Sequence, residues 1–182
     1  MVQGVEINRT AEMLSYAFGD VFKGFDKVEA VRNIFGEATE QVLSRQRVVL
    51  YPRMGYLSVD GQSGYILVSQ PYLRNGDEVY LYLDVIHELV HVKQFLEGKE
   101  LFDERYSYVD RPTEIEAYRV ATNEARRIGL SDAKIREYLK VEWITNAEFA
   151  RLLRSVGMRA RVGPSGDVRR RSASRRRFVL PK

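Results

Sequence analysis

No cysteine occurs anywhere in this 182-residue chain, which excludes a disulfide framework and every thiolate metal site. Histidine is nearly as scarce, with two residues, His87 and His91. Any bound metal must therefore rest on nitrogen and oxygen donors. Long apolar runs are also missing. The longest, Val79 to Val92, is interrupted by Asp84, His87 and Glu88, so no membrane span is expected. Met1 to Asp20 lacks the basic-then-apolar order of a signal peptide. These absences lead us to expect a soluble, cytoplasmic protein with no membrane partner.

What is present is ordinary in bulk and uneven in distribution. A 45% hydrophobic and 30% charged composition suits one globular domain with a real core. From Arg159 to Lys182, eight arginines and one lysine face a single acid, Asp167. A net charge of +4 for the whole chain therefore leaves residues 1 to 158 acidic. We expect a folded domain over residues 1 to 158 and a disordered basic tail over 159 to 182, apart from the apolar Phe178-Val-Leu180.

Apolar spacing predicts helices over Thr10 to Phe22 and Asp26 to Ser44, with Asp26 as an N-cap. Arg47 to Tyr51, a stretch bounded by Gly55, Gly61 and Gly64, and Tyr65 to Ser69 read as three strands of a small sheet. Asn75-Gly-Asp77 then caps a helix over about 78 to 97, closed by Gly98. Pro112 opens another helix, ended by Gly129, and Ser131 and Thr145 cap two short ones. Strands followed by a run of helices give an α+β fold.

His87-Glu88-Leu89-Val90-His91 is the most informative stretch. Residues four apart on a helix share a face, about 6 Å apart along the axis, so both imidazoles can close on one ion. Glu88 is offset by one residue and projects beside that ion, where it can take a proton from a water. A catalytic zinc site needs a third protein ligand, and no histidine remains. The downstream acids are Glu97, Glu100, Asp103, Glu104, Asp110, Glu114, Glu116 and Glu124.

Helical periodicity separates Glu114 from Glu116. The face of Glu114 carries Ala117, Tyr118, Ala121, Ala125 and Ile128, apolar and mostly small as a close helix contact requires. The face of Glu116 carries Arg119, Val120, Asn123 and Arg127, largely polar. Glu114 points inward, and an ionised carboxylate on a buried face calls for a partner.

His87-Glu-Leu-Val-His91 followed by Glu114-Ile-Glu-Ala-Tyr118 resembles the gluzincin metallopeptidases over about residues 45 to 130. The resemblance implies a zincin-like single domain, a three- or four-stranded sheet on an active-site helix, and zinc held by His87, His91 and Glu114. It implies peptide hydrolysis with Glu88 as general base. Many members of that group carry an aspartate four residues after the third ligand to support a histidine. That position is Tyr118 here, leaving Tyr118 or Asp84 for the supporting role. Donors to a developing oxyanion are sought among Tyr106, Tyr108, Tyr118 and Arg111, and Tyr65 to Ser69 is a candidate sheet edge for an extended substrate.

Three readings of the arginine-rich tail stay open: a solvated terminus, a salt-dependent contact with nucleic acid or another acidic partner, and a segment that blocks the cleft. The alternative to a peptidase is a metal-binding module that docks nucleic acid or a protein through that tail.

Overall fold

A computed structural model describes residues 4–12 and 14–159, and the expectations for residues 160 to 182 lie outside the described residues. The first strand pair is β1 (Glu6–Ile7) with β3 (Phe22–Lys23), antiparallel. The main sheet has four strands in the order β2-β4-β6-β5: β2 (Ser15–Ala17), β4 (Arg47–Tyr51), β5 (Leu57–Val59) and β6 (Ile66–Ser69). β4 and β6 run parallel, while β2 and β5 pair antiparallel on the two outer sides.

Two expectations for the N-terminal third are corrected here. Thr10 to Phe22 is not one helix. Ser15 to Ala17 extend to pair with Arg47 to Val49, followed by the single turn α1 (Phe18–Val21). A ladder with a distant strand outweighs local helical spacing, and Phe18, Phe22 and Phe25 pack ring on ring instead. Asp26 to Ser44 is helical but broken. α2 (Glu29–Phe35) and α3 (Thr39–Arg45) are separated at Gly36, whose φ of 58° ends the first helix. The residue preceding α2 is Val28, so Asp26 does not cap it.

The remaining elements follow the local signals. After α4 (Gln70–Asn75), the long helix α5 (Glu78–Leu96) is capped by Asp77, whose carboxylate accepts from the amides of Val79 and Tyr80. α6 (Pro112–Arg127) starts on proline, and α7 (Asp132–Leu139) is capped by Ser131. α8 (Asn146–Ser155) opens with a capping box between Thr145 and Glu148.

α5 runs through the middle of the α+β fold, and from Leu81 to Val92 every residue but Asp84 is buried. β5 lies against one side of it and α6 against another. α6 returns antiparallel: Tyr82 near the start of α5 meets Glu124 near the end of α6, and Gln94 near the end of α5 meets Thr113 at the start of α6. The turn before β6 touches α5 through Gly64. Its φ is +72°, its carbonyl accepts from Gln46 Nε2 at 2.9 Å, and a Cβ there would meet the Phe95 ring at 2.5 Å. Among the described residues, no helix is long and apolar enough to cross a membrane.

Candidate metal centre

Buried histidines on one helix face need something to receive their lone pairs. His87 and His91 stand one turn apart on α5, each 6% exposed, and Glu114 enters from the third residue of α6, also 6% exposed. The two Nε2 atoms are 3.0 Å apart. Glu114 Oε2 is 3.4 Å from His87 Nε2 and 3.7 Å from His91 Nε2. Those contacts are longer than a good charge-assisted hydrogen bond. Four-coordinate ligands at bond lengths of about 2.0–2.1 Å sit about 3.3–3.4 Å from one another, a spacing the three distances bracket. Two imidazole nitrogens and one carboxylate oxygen thus fit a small divalent ion.

Protonation in the metal-free state follows from the same geometry. Burial disfavours a charged His91, but the Glu114 carboxylate, with help from Glu88, outweighs it and pushes the imidazole up to about 9. Burial likewise opposes ionised Glu114, yet the two imidazoles hold it well below the usual carboxylate range. Without a metal, a proton therefore holds the three groups together, and an ion that binds has to displace it.

Gln94 fixes which nitrogen carries that exchangeable proton. Its side-chain amide is fully buried and donates from Nε2 to the Thr113 carbonyl and to Glu116 Oε2, both at 3.0 Å. Neither partner can donate in return, so the other end of the amide is its oxygen. That oxygen lies 2.7 Å from His91 Nδ1. His91 must therefore donate from Nδ1, which turns Nε2 toward His87 and Glu114.

The sequence reading overlooked Gln94. The available signal was its place three residues after His91, as the sole uncharged amide on a buried helix face. Gln94→Met, close in volume, should lower metal affinity by about 10–100-fold with the fold retained. Competition with a chelator measures this, and unchanged affinity would show that Gln94 only fills space.

Glu88 is buried at 7% exposure, close enough to this cluster to act on the charge of His91. Tyr118, one turn beyond Glu114, is 4% exposed and sets its ring against His87, with centroids 4.4 Å apart. Its hydroxyl shares a 2.8 Å hydrogen bond with Tyr108. Asp84 accepts from the Tyr72 hydroxyl at 2.7 Å. Tyr106 is exposed, and Arg111 donates to the Asp103 carbonyl while lying 6.0 Å over the Tyr108 ring.

The other acids have different partners. Glu116 and Glu97 pair with Lys93 and Lys99, Asp103 with Arg105, and Asp110 with Arg151. Glu124 is buried against Tyr82 and Arg127. Glu100 and Glu104 are exposed. The candidate edge at Tyr65 to Ser69 needs correction, because β6 is flanked by β4 on one side and β5 on the other. The strand at the rim beside α5 is β5. Among the described residues, the grouping of His, Asp and Glu side chains suited to hold an ion is His87, His91 and Glu114. Compared with family models, with curated proteins and with solved structures, the chain matches none.

Proposed function

We propose that this protein is a zinc-dependent peptidase with a zincin-like fold, in which His87, His91 and Glu114 hold the ion and Glu88 is the general base. The observation that carries the reading is the convergence of three buried donor atoms at 3.0 to 3.7 Å beside a second buried carboxylate, Glu88. When bound, zinc would supply Lewis acidity to a water and to the scissile carbonyl.

The remaining work falls to the chain's own residues. His87 and His91 present Nε2 lone pairs, with His91 held in that tautomer by Gln94. Glu114 neutralises part of the ion's charge, and its place in the first turn of α6 suits a carboxylate against the helix dipole. Glu88, offset from the ligands, accepts the water proton and returns it to the leaving amine. Tyr118 positions the His87 ring by packing against it at an interplanar angle of 64°. A site built only to bind an ion has no use for a proton acceptor at position 88, which favours hydrolysis over a pure binding role.

Purified protein incubated with an unstructured, casein-like substrate tests the reading. Cleavage should disappear with a zinc chelator and return when zinc is added back. Cleavage that persists in chelator would assign it to something other than this site.

A further inference from the structure

Charge is unevenly placed along the folded part of the chain. From Arg119 to Arg159 nine basic side chains face five acidic ones, whereas residues 1 to 118 are acidic on balance. Three of those five acids are already engaged: Glu124 with Arg127, Glu137 with Lys134, and Glu148 in its cap with Thr145. Arg151 in turn takes Asp110. Among the described residues, Arg119, Arg126, Arg136, Arg154 and Arg159 pair with no carboxylate.

Three of these arginines gather on one short segment. Arg119 of α6 donates from Nε to the Ser155 carbonyl at 2.7 Å, and Arg126 of α6 donates from Nη2 to the Val156 carbonyl at 3.4 Å. Arg136 of α7 donates to the Arg159 carbonyl. Ser155 ends α8, and the carbonyls at a helix C-terminus favour cations. That accounts for part of each guanidinium. A carbonyl fixes the side chain without cancelling its charge, and a guanidinium has five N–H donors. Arg119, Arg126, Arg154 and Arg159 are exposed, and Arg136 is half-buried. The end of α8 thus presents to solvent positive groups drawn from three helices, some of them already held in place.

This surface offers charge and little else. Among the described residues, no large hydrophobic side chain is exposed between Arg119 and Arg159, and Leu152, Leu153, Val156 and Met158 are buried there. A face that enters a membrane needs exposed apolar residues to insert. A face that holds single strands needs exposed aromatic rings on which bases stack. An array of phosphates asks for neither. Arginine suits it, because the planar fork grips phosphate oxygens in pairs, and a side chain already fixed by a carbonyl loses less freedom on binding.

We infer that the end of α8, with the flanking arginines of α6 and α7, is a docking surface for the phosphate backbone of double-stranded nucleic acid, bound without sequence readout. The chain continues from Arg159 into residues 160 to 182, whose eight basic side chains against the single Asp167 add charge of the same sign. The surface draws on none of the candidate metal ligands, so the inference stands apart from the peptidase reading.

The full-length chain is titrated with a short fluorescent DNA duplex over a series of salt concentrations, with anisotropy as the readout. Affinity should fall linearly with salt on logarithmic axes, alike for unrelated sequences. Arg119→Gln, Arg126→Gln and Arg136→Gln combined should reduce that slope by about 1 per arginine. Lysine at the same three positions keeps the charge and should keep the slope. The Arg154 side chain has no hydrogen bond or ion pair among the described residues, so Arg154→Gln leaves the packing alone and should still lower the slope by about 1. An unchanged slope in both glutamine variants would assign binding to residues 160 to 182 and overturn the inference. Absence of duplex binding, or tighter binding to phosphatidylserine vesicles than to the duplex, would overturn it equally.

Discussion

Glu88→Gln should retain one bound zinc per chain and lower peptide cleavage by about 10²–10⁴-fold, the contribution of a positioned general acid–base. The substitution is nearly isosteric, so the packing around a side chain that is 7% exposed is preserved. The ligand atoms belong to other residues, and the amide loses only the capacity to take and return a proton. Zinc content by elemental analysis and turnover on a quenched peptide are measured on the same preparation. Undiminished turnover with full metal would remove Glu88 from the mechanism, and loss of metal would recast it as a structural neighbour of the ligands.

A second large effect is expected at Glu114. With zinc at about a thousandfold excess over its dissociation constant, the native chain should gain about 4 kcal/mol of stability, read as a raised melting temperature. Glu114→Gln should gain almost none, because the third ligand and the compensating negative charge are lost together.

The pH dependence sharpens the test. His91 is raised from an ordinary value of 6.5 to about 9. Its charged form therefore stabilises the metal-free native chain fully below 6.5, and that contribution fades as pH rises through about 9. Glu114 is depressed below its ordinary 4.5, so its contribution is present above that value and is lost as pH falls through the native one. The metal-free protein should thus lose stability between pH 6.5 and 9, while the gain from zinc grows over the same interval as the competing proton departs. Parallel melts with and without zinc would show the two trends in opposition. Flat behaviour in both would mean that these groups do not share a proton.

Local patterns in the chain carried much of this structure. A spacing of four on one helix is sufficient to align His87 with His91, and the contrast between small apolar and charged neighbours is sufficient to orient Glu114 against Glu116. Caps at Asp77, Ser131 and Thr145 are equally local, since each involves a side chain and amides within three residues. What local patterns miss is partnership at a distance. Ser15 to Ala17 become a strand only because Arg47 to Val49 lie beside them. β6 is interior only because β5 folds back across it. Gln94 gains its meaning from the Thr113 carbonyl and Glu116 on another helix. Asp84, weighed as a support for a histidine, accepts from the Tyr72 hydroxyl of another helix.

Gly64 governs more than its own turn. Its bare α-carbon is what lets the sheet settle against Phe95, and the same residue receives the Gln46 amide that anchors the turn. Any side chain there would wedge the sheet away from α5 and shift the rim strand relative to the histidines. The seating of the sheet on the histidine helix is therefore gauged by a missing methyl group.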